Sequence, residues 1–285
     1  MYICITGFTI DRNIMIVFPN AKINLGLRVI RKRTDGYHDI ETIMYPIGLA
    51  DALEVVPAAD GIFGFSATGI IVEGDAEDNL CVKAFRLMQL KYGLPEVKIH
   101  LHKVIPTGAG LGGGSSDAAF ALKVLRRIFT IKNCNDSLRQ MAAQLGSDCS
   151  FFVDNFPAIA HGRGEELMKL SITLKGYYLL LVKPEIEVST PWAYSKIIPS
   201  GISLLAANEI PSDVNIWQSL LSNDFESVVM DEYPQIRQIK NRMLEMGAVY
   251  SAMSGSGSAV FGLFNTHPEI QGDEFKNMFV WTQEL

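Results

Sequence analysis

A segment poor in side chains, PTGAGLGGGSSDAA at residues 106–119, offers the clearest chemistry in the sequence. Side chains are almost absent between Gly108 and Gly114, so successive backbone N–H groups can approach a ligand closely. The residues that follow have apolar side chains at helical spacing. The segment therefore leads into a helix N-terminus, where unpaired N–H groups and the helix dipole attract anions. We predict that it binds a phosphorylated ligand such as a nucleoside triphosphate.

Other interpretations of these glycines remain open from the residues alone. Gly108, Gly110 and Gly113 formally satisfy G-x-G-x-x-G, the fingerprint of dinucleotide-binding proteins, and a flexible glycine turn needs no ligand at all. A dinucleotide-binding unit continues from its helix into a strand that ends in Asp or Glu, whereas here a polar turn and another helix follow. The sequence has no G-x-x-x-x-G-K-[ST] motif. These features disfavour a dinucleotide-binding unit and a Walker-type fold, whereas an NAD-binding oxidoreductase and a nucleotide-binding module without chemistry stay open as alternatives to a kinase.

Several other residues have groups that could act on such a ligand. Lys22 lies among apolar neighbours, which makes full exposure of its ammonium less favoured. Asp148 follows the end of a predicted helix, where an ordinary turn aspartate is the simpler interpretation. Tyr37 and His38 follow a T-D-G turn and are equally typical of the start of a strand. Residues 254–257 form a second glycine-rich turn, which could approach a ligand or simply join two strands.

Strand-like runs dominate the first hundred residues, the later half is mixed α and β, and these elements must position the groups. Short apolar or alternating runs predict strands at 40–46, 52–56, 97–103, 177–182, around 248 and at 259–264. Helical spacing bounded by glycine or proline predicts helices at 78–92, after Gly114, at 136–145, from Thr190 and at 235–246. The serines after Gly114 are expected to cap the first turn of their helix, and Asp148 is expected in a loop.

Composition indicates a globular chain and limits the kinds of partner it has. The 285 residues are 48% hydrophobic, enough to bury one large core or two modest ones. A net charge of −6 argues against nucleic acid or an anionic membrane as the main partner. The four scattered cysteines favour a reducing cytoplasm over a disulfide framework or a zinc site. We find no membrane-spanning run and no signal sequence, interpret residues 1–14 as an upstream extension, and expect a monomer or homodimer.

Three separated segments resemble the GHMP family of small-molecule kinases. They are PNAKINLGLRVIRKRTDGYHDIETIM at 19–44, PTGAGLGGGSSDAA at 106–119 and SAMSGSGSAVFGLF at 251–264, and a fourth patch, AAQLGSDCSFF with HGRGEEL, supports them. The resemblance implies an α+β, two-domain fold. Residues 15–165 would form an ATP-binding domain like ribosomal protein S5 domain 2, and residues 166–285 a ferredoxin-like domain on the substrate side. ATP and magnesium are the implied cofactors.

The resemblance also assigns roles to individual residues. Asp148 is expected to take the proton of the substrate hydroxyl, while Lys22 orients that hydroxyl and stabilises charge on the attacking oxygen. The ATP-binding residues that it implies are Asn79, Leu80, Lys103, Pro106, Gly108, Ala109, Gly110, Leu111, Gly112, Gly113, Gly114, Ser115 and Ser116. The substrate-binding residues that it implies are Asn24, Tyr37, His38, Thr190, Tyr194, Ser254 and Gly255.

Within the family, the AKINL and DGYH pieces indicate a member whose substrate has a cytidine diphosphate head. Tyr37 and His38 are then expected against the cytosine, with Tyr194 on its opposite face. A small alcohol such as homoserine or mevalonate is the alternative acceptor. The magnesium ligands cannot be read from the sequence, although Ser116 could contribute. One departure concerns Asp117, where the family usually has Asn, because a carboxylate near phosphates is unfavourable unless it points away or meets a cation.

Overall fold

The computed structural model describes residues 15–72, 74–132, 134–203 and 210–285, and these residues form strands β1–β12 and helices α1–α8. The strands of these residues make up three four-stranded sheets. Residues 1–14, which the sequence indicates to be an upstream extension, lie outside the described residues. The combination of helices with largely antiparallel sheets confirms the α+β class.

One sheet and the helices packed on it position the glycine-rich segment. The strands of this sheet are β1 (Met15–Val17), β4 (Ala52–Pro57), β5 (Gly64–Gly69) and β6 (Val97–Lys103). The helices are α1 (Leu80–Tyr92), α2 (Gly113–Ile128), α3 (Asn135–Leu145) and α4 (Cys149–Asp154). The strand order is β1-β4-β6-β5. Apolar side chains of β4, β6 and the four helices form one core cluster, which includes Phe85, Leu122 and Phe151.

A second antiparallel sheet in the N-terminal half provides Lys22 and the Tyr37 turn. Its order is β2-β3-β7-β8, with strands β2 (Asn20–Lys32), β3 (His38–Ala50), β7 (Ala158–His161) and β8 (Glu166–Lys169). Strand β8 lies beyond the predicted domain boundary at 165/166 yet pairs with β7, so the N-terminal sheet continues past that boundary. Strand β2 is absent from the predicted strands, because seven consecutive buried residues from Ala21 hide the two-residue period on which such predictions depend.

The third sheet belongs to the C-terminal half and is antiparallel throughout. Its strands are β9 (Tyr178–Lys183), β10 (Tyr250–Met253), β11 (Val260–Phe264) and β12 (Phe279–Glu284). The order β10-β11-β9-β12 is that of a ferredoxin-like sheet, as predicted. The helices of this half are α5 (Thr190–Lys196), α6 (Trp217–Leu220), α7 (Phe225–Glu232) and α8 (Pro234–Glu245). Turns, rather than a second crossover helix, connect β11 to β12.

Two helix starts differ from their predictions. Helix α1 begins at Leu80, and the side chain of Asn79 caps it by accepting a hydrogen bond from the backbone N–H of Cys81 at 2.9 Å. Helix α2 begins at Gly113 after Gly112, which has a φ of +71°, and no side chain caps it. The prediction that serines cap this helix is wrong, because both serines lie inside its first turns. A glycine at the N-cap leaves the first N–H groups without a side-chain acceptor.

The fold excludes the dinucleotide-binding alternative. Among the named strands, the pair β5–β6 is the one parallel pair, and α2 leads into α3 instead of a strand. A dinucleotide-binding unit requires a parallel sheet with a strand directly after that helix. Within the described ranges, no helix has both the length and the hydropathy that crossing a bilayer requires.

Candidate active site

A cavity of about 880 Å³ brings together most of the predicted site residues from both halves of the chain. The glycine-rich segment 106–114 forms one wall, and the turn that contains Tyr37 forms another. The predicted residues that line the cavity are Lys22, Asn24, Tyr37, His38, Leu80, Lys103, Pro106, Gly108, Ala109, Gly110, Leu111, Gly112, Gly113, Gly114, Ser115, Asp148, Thr190, Tyr194 and Gly255. Asn79, Ser116 and Ser254 do not line it.

Lys22 and Asp148, the two predicted catalytic residues, face each other in this cavity. The Nζ of Lys22 lies 3.3 Å from Oδ2 of Asp148. The side chain of Lys22 is 4% exposed and that of Asp148 is 30% exposed, so the carboxylate is the more accessible partner. Lys22 also donates to Oδ1 of Asn24 at 2.5 Å and to the carbonyl oxygen of Gly110 at 2.9 Å. These acceptors hold the ammonium in one place beside the carboxylate.

Local backbone structure explains how Lys22 and Asp148 meet. The backbone N–H of Lys22 donates to the carbonyl oxygen of Leu111 at 3.0 Å, which ties β2 directly to the glycine-rich segment. Asp148 occupies the short turn between α3 and α4, as predicted, and its carboxylate does not cap α4. Gly164 lies beside this carboxylate, since a Cβ built on it would be 3.8 Å from Oδ1 of Asp148.

The glycine-rich segment is held from the C-terminal half. The hydroxyl of Ser254 donates to the carbonyl oxygen of Gly110 at 2.9 Å, and the N–H of Ala259 donates to the carbonyl oxygen of Ala109 at 3.2 Å. Ser254 is fully buried, and its hydroxyl connects the two glycine-rich turns. Gly255 lines the cavity, and the side chain of Asn223 donates to its carbonyl oxygen at 2.8 Å.

The predicted nucleotide-binding residues outside the glycines have different surroundings. Leu80 lines the cavity, but Asn79 is the cap of α1. The hydroxyl of Ser116 is buried without a hydrogen-bond partner in the described part of the chain, and the residue lies off the cavity wall. Its predicted contact with nucleotide or magnesium therefore does not match its position. Ser115, one residue earlier, lines the cavity instead.

Lys103 lies at the cavity wall with its ammonium already paired. Its Nζ donates to Oδ2 of Asp117 at 2.7 Å and to Oδ2 of Asp51. Burial lowers the pKa of Lys103, but the charges of Asp117 and Asp51 outweigh that effect and raise it overall. The carboxylate of Asp117, where the family usually has Asn, thus meets a cation. This contact makes a carboxylate near phosphates less unfavourable.

Aromatic side chains form the wall opposite the glycines. The rings of His38 and Tyr194 are stacked on each other with centroids 4.9 Å apart and an interplanar angle of 22°. The predicted arrangement with His38 and Tyr194 on opposite faces of a base is therefore not present, because these rings contact directly. Tyr37 is 55% exposed, and the guanidinium of Arg163 lies 4.8 Å from its ring centroid. Burial, followed by the charge of Lys32, lowers the pKa of His38, which favours a neutral imidazole.

The cavity also contains residues that sequence reasoning missed. Lys32 and Arg163 add basic side chains to its lining, with Nε of Arg163 lying 3.3 Å from Oε1 of Glu165, and Thr107 adds a hydroxyl within the glycine-rich segment. The hydroxyls of Thr190 and Ser256 lie 2.8 Å apart across the cavity edge. The signal for Arg163 was a basic residue between two glycines in HGRGEEL, whereas Lys32 has no local signal. A cavity with this charge suits a ligand with several phosphates.

Backbone N–H groups at a helix start, an ammonium–carboxylate pair and a large shared cavity define a phosphotransferase that acts on the hydroxyl of a small molecule. Two family models support this class: the GHMP kinases N terminal domain matches residues 79–163, and the GHMP kinases C terminal matches residues 204–278. The chain belongs to the GHMP kinase family and is a small-molecule kinase with ATP as phosphate donor.

Relatives with high identity share one name. The chain is 48% identical over 276 residues to the 4-diphosphocytidyl-2-C-methyl-D-erythritol kinase of Bacteroides thetaiotaomicron, a match that covers 95% of this chain and 100% of the relative. It is 43% identical to the protein of the same name from Porphyromonas gingivalis, covering 94% and 98% of the two chains.

Two solved structures are similar to this chain, at different levels of sequence identity. A crystal structure of 4-(cytidine 5'-diphospho)-2C-methyl-D-erythritol kinase matches with a TM-score of 0.74 and 31% identity, covering 94% of this chain and 98% of that one. Mevalonate kinase from Methanococcus jannaschii matches with a TM-score of 0.71 at 14% identity, covering 94% and 97%. The second likeness shows the shared fold and nothing about the acceptor.

Proposed function

We propose that this kinase transfers the γ-phosphate of ATP to the 2-hydroxyl of 4-diphosphocytidyl-2-C-methyl-D-erythritol, a step in non-mevalonate isoprenoid precursor biosynthesis. The observation that carries the proposal is the 3.3 Å separation of Lys22 Nζ and Asp148 Oδ2, in one cavity with the glycine-rich segment and the Tyr37–His38 pair. The name of the relatives with 43% identity or more supports the same substrate.

The carboxylate of Asp148 takes the proton of the attacking hydroxyl in this mechanism. It is the more exposed member of the pair, so a substrate oxygen can reach it from the cavity. General base catalysis of this kind typically contributes about 10²–10⁴-fold in rate. The ammonium of Lys22, fixed by Asn24 and Gly110, stabilises the negative charge that develops on the attacking oxygen.

The backbone N–H groups at the start of α2 bind the triphosphate. Positive φ at Gly108, Gly110 and Gly112 bends the segment around the space in front of that helix start. No apolar side chain obstructs the phosphates there, since the stretch 112–114 consists of glycine. Holding the attacking hydroxyl oxygen in line with the γ-phosphorus contributes several kcal/mol in reactions of this kind, roughly 7–11 kcal/mol at the upper end.

Magnesium fits the oxygen donors of the cavity. The carboxylate of Asp148 and the hydroxyl of Ser115 both line it, whereas the described residues contain no cluster of three or more metal-ligating side chains. This pattern is typical of magnesium, which keeps several waters and is bound largely through substrate phosphates. When bound, magnesium supplies charge neutralisation across the phosphate oxygens. Ser115 is the residue of this wall that would help to hold it, while Asp148 remains available as the base.

The cytidine head of the substrate binds at the aromatic wall. Tyr37 offers an exposed ring, and Tyr194 is held by stacking on His38. Stacking contributes about 1–3 kcal/mol per base, and a neutral imidazole can both donate and accept a hydrogen bond with cytosine. The positive charges of Lys32 and Arg163 favour a diphosphate next to that base.

Purified protein tests the proposal when it is incubated with ATP, magnesium and each acceptor in turn. ADP release with 4-diphosphocytidyl-2-C-methyl-D-erythritol, and a new phosphate ester at its 2-hydroxyl by ³¹P NMR, is the expected result. ADP release with homoserine or mevalonate but not with the cytidine compound would overturn it. Cytoplasmic location, a monomeric or homodimeric state and the absence of a nucleic-acid partner remain predictions that this assay does not address.

A further inference from the structure

A chain of buried hydrogen bonds runs from the Lys22 ammonium to the backbone of β2. Lys22 donates to Oδ1 of Asn24, and Nδ2 of Asn24 donates to the hydroxyl of Thr42 at 2.9 Å. That hydroxyl in turn lies 2.6 Å from the carbonyl oxygen of Gly26. Thr42 is fully buried and does not line the cavity. The far end of the chain therefore lies outside the surface that a ligand contacts.

A bulge in β2 leaves the Gly26 carbonyl free to accept this hydroxyl. The register between β2 and β3 shifts between Leu25 and Leu27, so Gly26 is the extra residue of the bulge. Its φ of +69° is the conformation that glycine commonly has there. An extra residue leaves the cross-strand ladder, and its peptide groups need other partners. The N–H of Gly26 donates to the hydroxyl of Tyr250 at 3.1 Å, and its carbonyl oxygen accepts from Thr42.

The single proton of the Thr42 hydroxyl fixes which end of the Asn24 amide faces Lys22. A carbonyl oxygen cannot donate, so the contact with Gly26 uses that proton. Towards Asn24 the hydroxyl oxygen can then only accept, and it must face the NH₂ end of the amide. The amide oxygen therefore points at Lys22, whose ammonium has only donors. The reverse orientation would place the amide protons against the ammonium and repel it.

Asn24 is one of three oxygen acceptors around the Lys22 ammonium. The others are the carbonyl oxygen of Gly110 at 2.9 Å and Oδ2 of Asp148 at 3.3 Å. An ammonium has three protons, so each acceptor can take one. When the Asn24 amide is reversed, one proton loses its acceptor, and the charge of Asp148 draws the ammonium toward the carboxylate. The displaced ammonium then moves away from the attacking oxygen and occupies the base.

We propose that Thr42 is a positioning residue for the transfer step. Its hydroxyl orients the amide of Asn24, and that amide holds the Lys22 ammonium where it stabilises charge on the attacking oxygen. Because Thr42 lies outside the cavity lining, it acts through these two residues and touches neither substrate nor ATP. The inference rests on the roles of Lys22 and Asp148 in the proposed function.

Thr42→Val tests the inference, since it removes the hydroxyl and keeps the size of the side chain. The kcat in the ADP-release assay should fall about 10–100-fold, because the displaced ammonium no longer meets the developing charge. The KM for ATP should change by less than about threefold, since Ser254 still holds Gly110. Thr42→Ser keeps the hydroxyl and should keep kcat within about threefold of the wild type. Thr68→Val, the same exchange on β5 outside the cavity, is the matched control and keeps the wild-type kcat.

A double-mutant cycle with Asn24→Ala separates positioning from a merely structural role. Without the amide the hydroxyl has nothing to orient, so Thr42→Val should change the kcat of Asn24→Ala by less than about twofold. Thr42→Val that lowers kcat by the same factor in both backgrounds overturns the inference. Where Thr42→Val does not bind AMP-PNP in calorimetry, Thr42→Ala, which also lacks the hydroxyl, replaces it in the cycle.

The wild type shows which of the two proposals fails. The cycle uses whichever acceptor gives ADP release, so a different acceptor overturns the proposed function while the cycle still decides the inference. Wild-type protein that releases ADP with no acceptor overturns both. An active wild type whose Thr42→Val variant keeps the same kcat overturns the inference alone.

Discussion

Gly110 is a point of close contact between the glycine-rich segment and the C-terminal half. Its φ is +73°, and a Cβ built on it would overlap the carbonyl oxygen of Ser254, far inside the 3.0 Å below which real Cβ contacts essentially do not occur. In Gly110→Ala, the segment or residue 254 must therefore shift by about 1 Å. The carbonyl oxygen of Gly110 is also an acceptor for Lys22, so the shift reaches the ammonium that we propose acts in catalysis.

The expected decrease in the free energy of unfolding of Gly110→Ala is the sum of two costs. An L-residue in the left-handed region costs about 1–2 kcal/mol, and forcing an atom into a packed site costs about 1–3 kcal/mol more. Gly110→Ala should therefore lower the free energy of unfolding by ~2–5 kcal/mol. Gly108→Ala is the matched control, because Gly108 has a φ of +58° and a Cβ built on it would have no atom within 4 Å. It should lower the free energy of unfolding by the backbone cost alone.

Equilibrium unfolding in urea without nucleotide measures both variants under conditions in which no ligand contact contributes. Gly110→Ala should unfold at a lower urea concentration than Gly108→Ala. In the ADP-release assay, a displacement of about 1 Å near the reacting groups should also lower the kcat/KM of Gly110→Ala by about 10²-fold. Equal unfolding midpoints for the two variants would refute the argument that Ser254 fixes the segment.

Three other variants test separate parts of the site. Asp148→Asn should lower kcat by about 10²–10⁴-fold with little change in the KM for ATP, and an unchanged kcat in the ADP-release assay would show that another group is the base. Tyr37→Ala should weaken the cytidine substrate by about 1–3 kcal/mol, measured as its KM, while the KM for ATP stays constant; equal effects on both would contradict base stacking. The pKa of Asp117 rises in the folded protein from 3.8 to about 7, so the folded state binds more protons between these values and stability falls as the pH rises. At about 1.4 kcal/mol per pKa unit, the free energy of unfolding of the wild type in urea should fall by up to ~4 kcal/mol between pH 4 and pH 8, and that of Asp117→Asn should not. Parallel pH dependences of the two proteins would contradict this prediction.

Local signals explain which elements could be predicted from the sequence. Gly93, with a φ of +66°, ends α1 where the helix was predicted to end. Helix α3 also ends where predicted, at Leu145, but Gly146 has an extended backbone that does not require glycine. The glycine-rich segment could be predicted because all its donors are contiguous in the chain. The start of α2 could not, since its cap is a glycine, where a Cβ would come within 3.0 Å of the Phe152 ring and 3.2 Å of the Lys22 side chain, and both of these lie on other elements.

Contacts between distant residues account for what the sequence alone does not show. Lys22 and Asp148 are assigned by resemblance, because nothing local distinguishes either of them from a surface or turn residue. The stacking of His38 on Tyr194 joins the start of β3 to α5, two elements far apart in the chain. Their positions in the sequence therefore do not show that the two rings are in contact. Asp117 differs again: the sequence raised the question of its charge, and only the fold brings Lys103 and Asp51 to it.

A segment made mostly of glycine can donate many hydrogen bonds, but it has no side chains with which to hold itself in place. Its position must come from its surroundings, and in this protein these come from three directions: Lys22 from β2, Ser254 from the C-terminal turn, and Asp51 from the turn before β4. Glycine loses more conformational freedom on folding than any other residue, so these external ties oppose a large entropic cost. They also explain how a chain with a net charge of −6 can bind a polyanion, since oriented backbone dipoles and a few fixed ammonium groups act locally where the net charge does not. Loss of any one of these hydrogen bonds should therefore weaken nucleotide binding more than it changes the specificity for the acceptor.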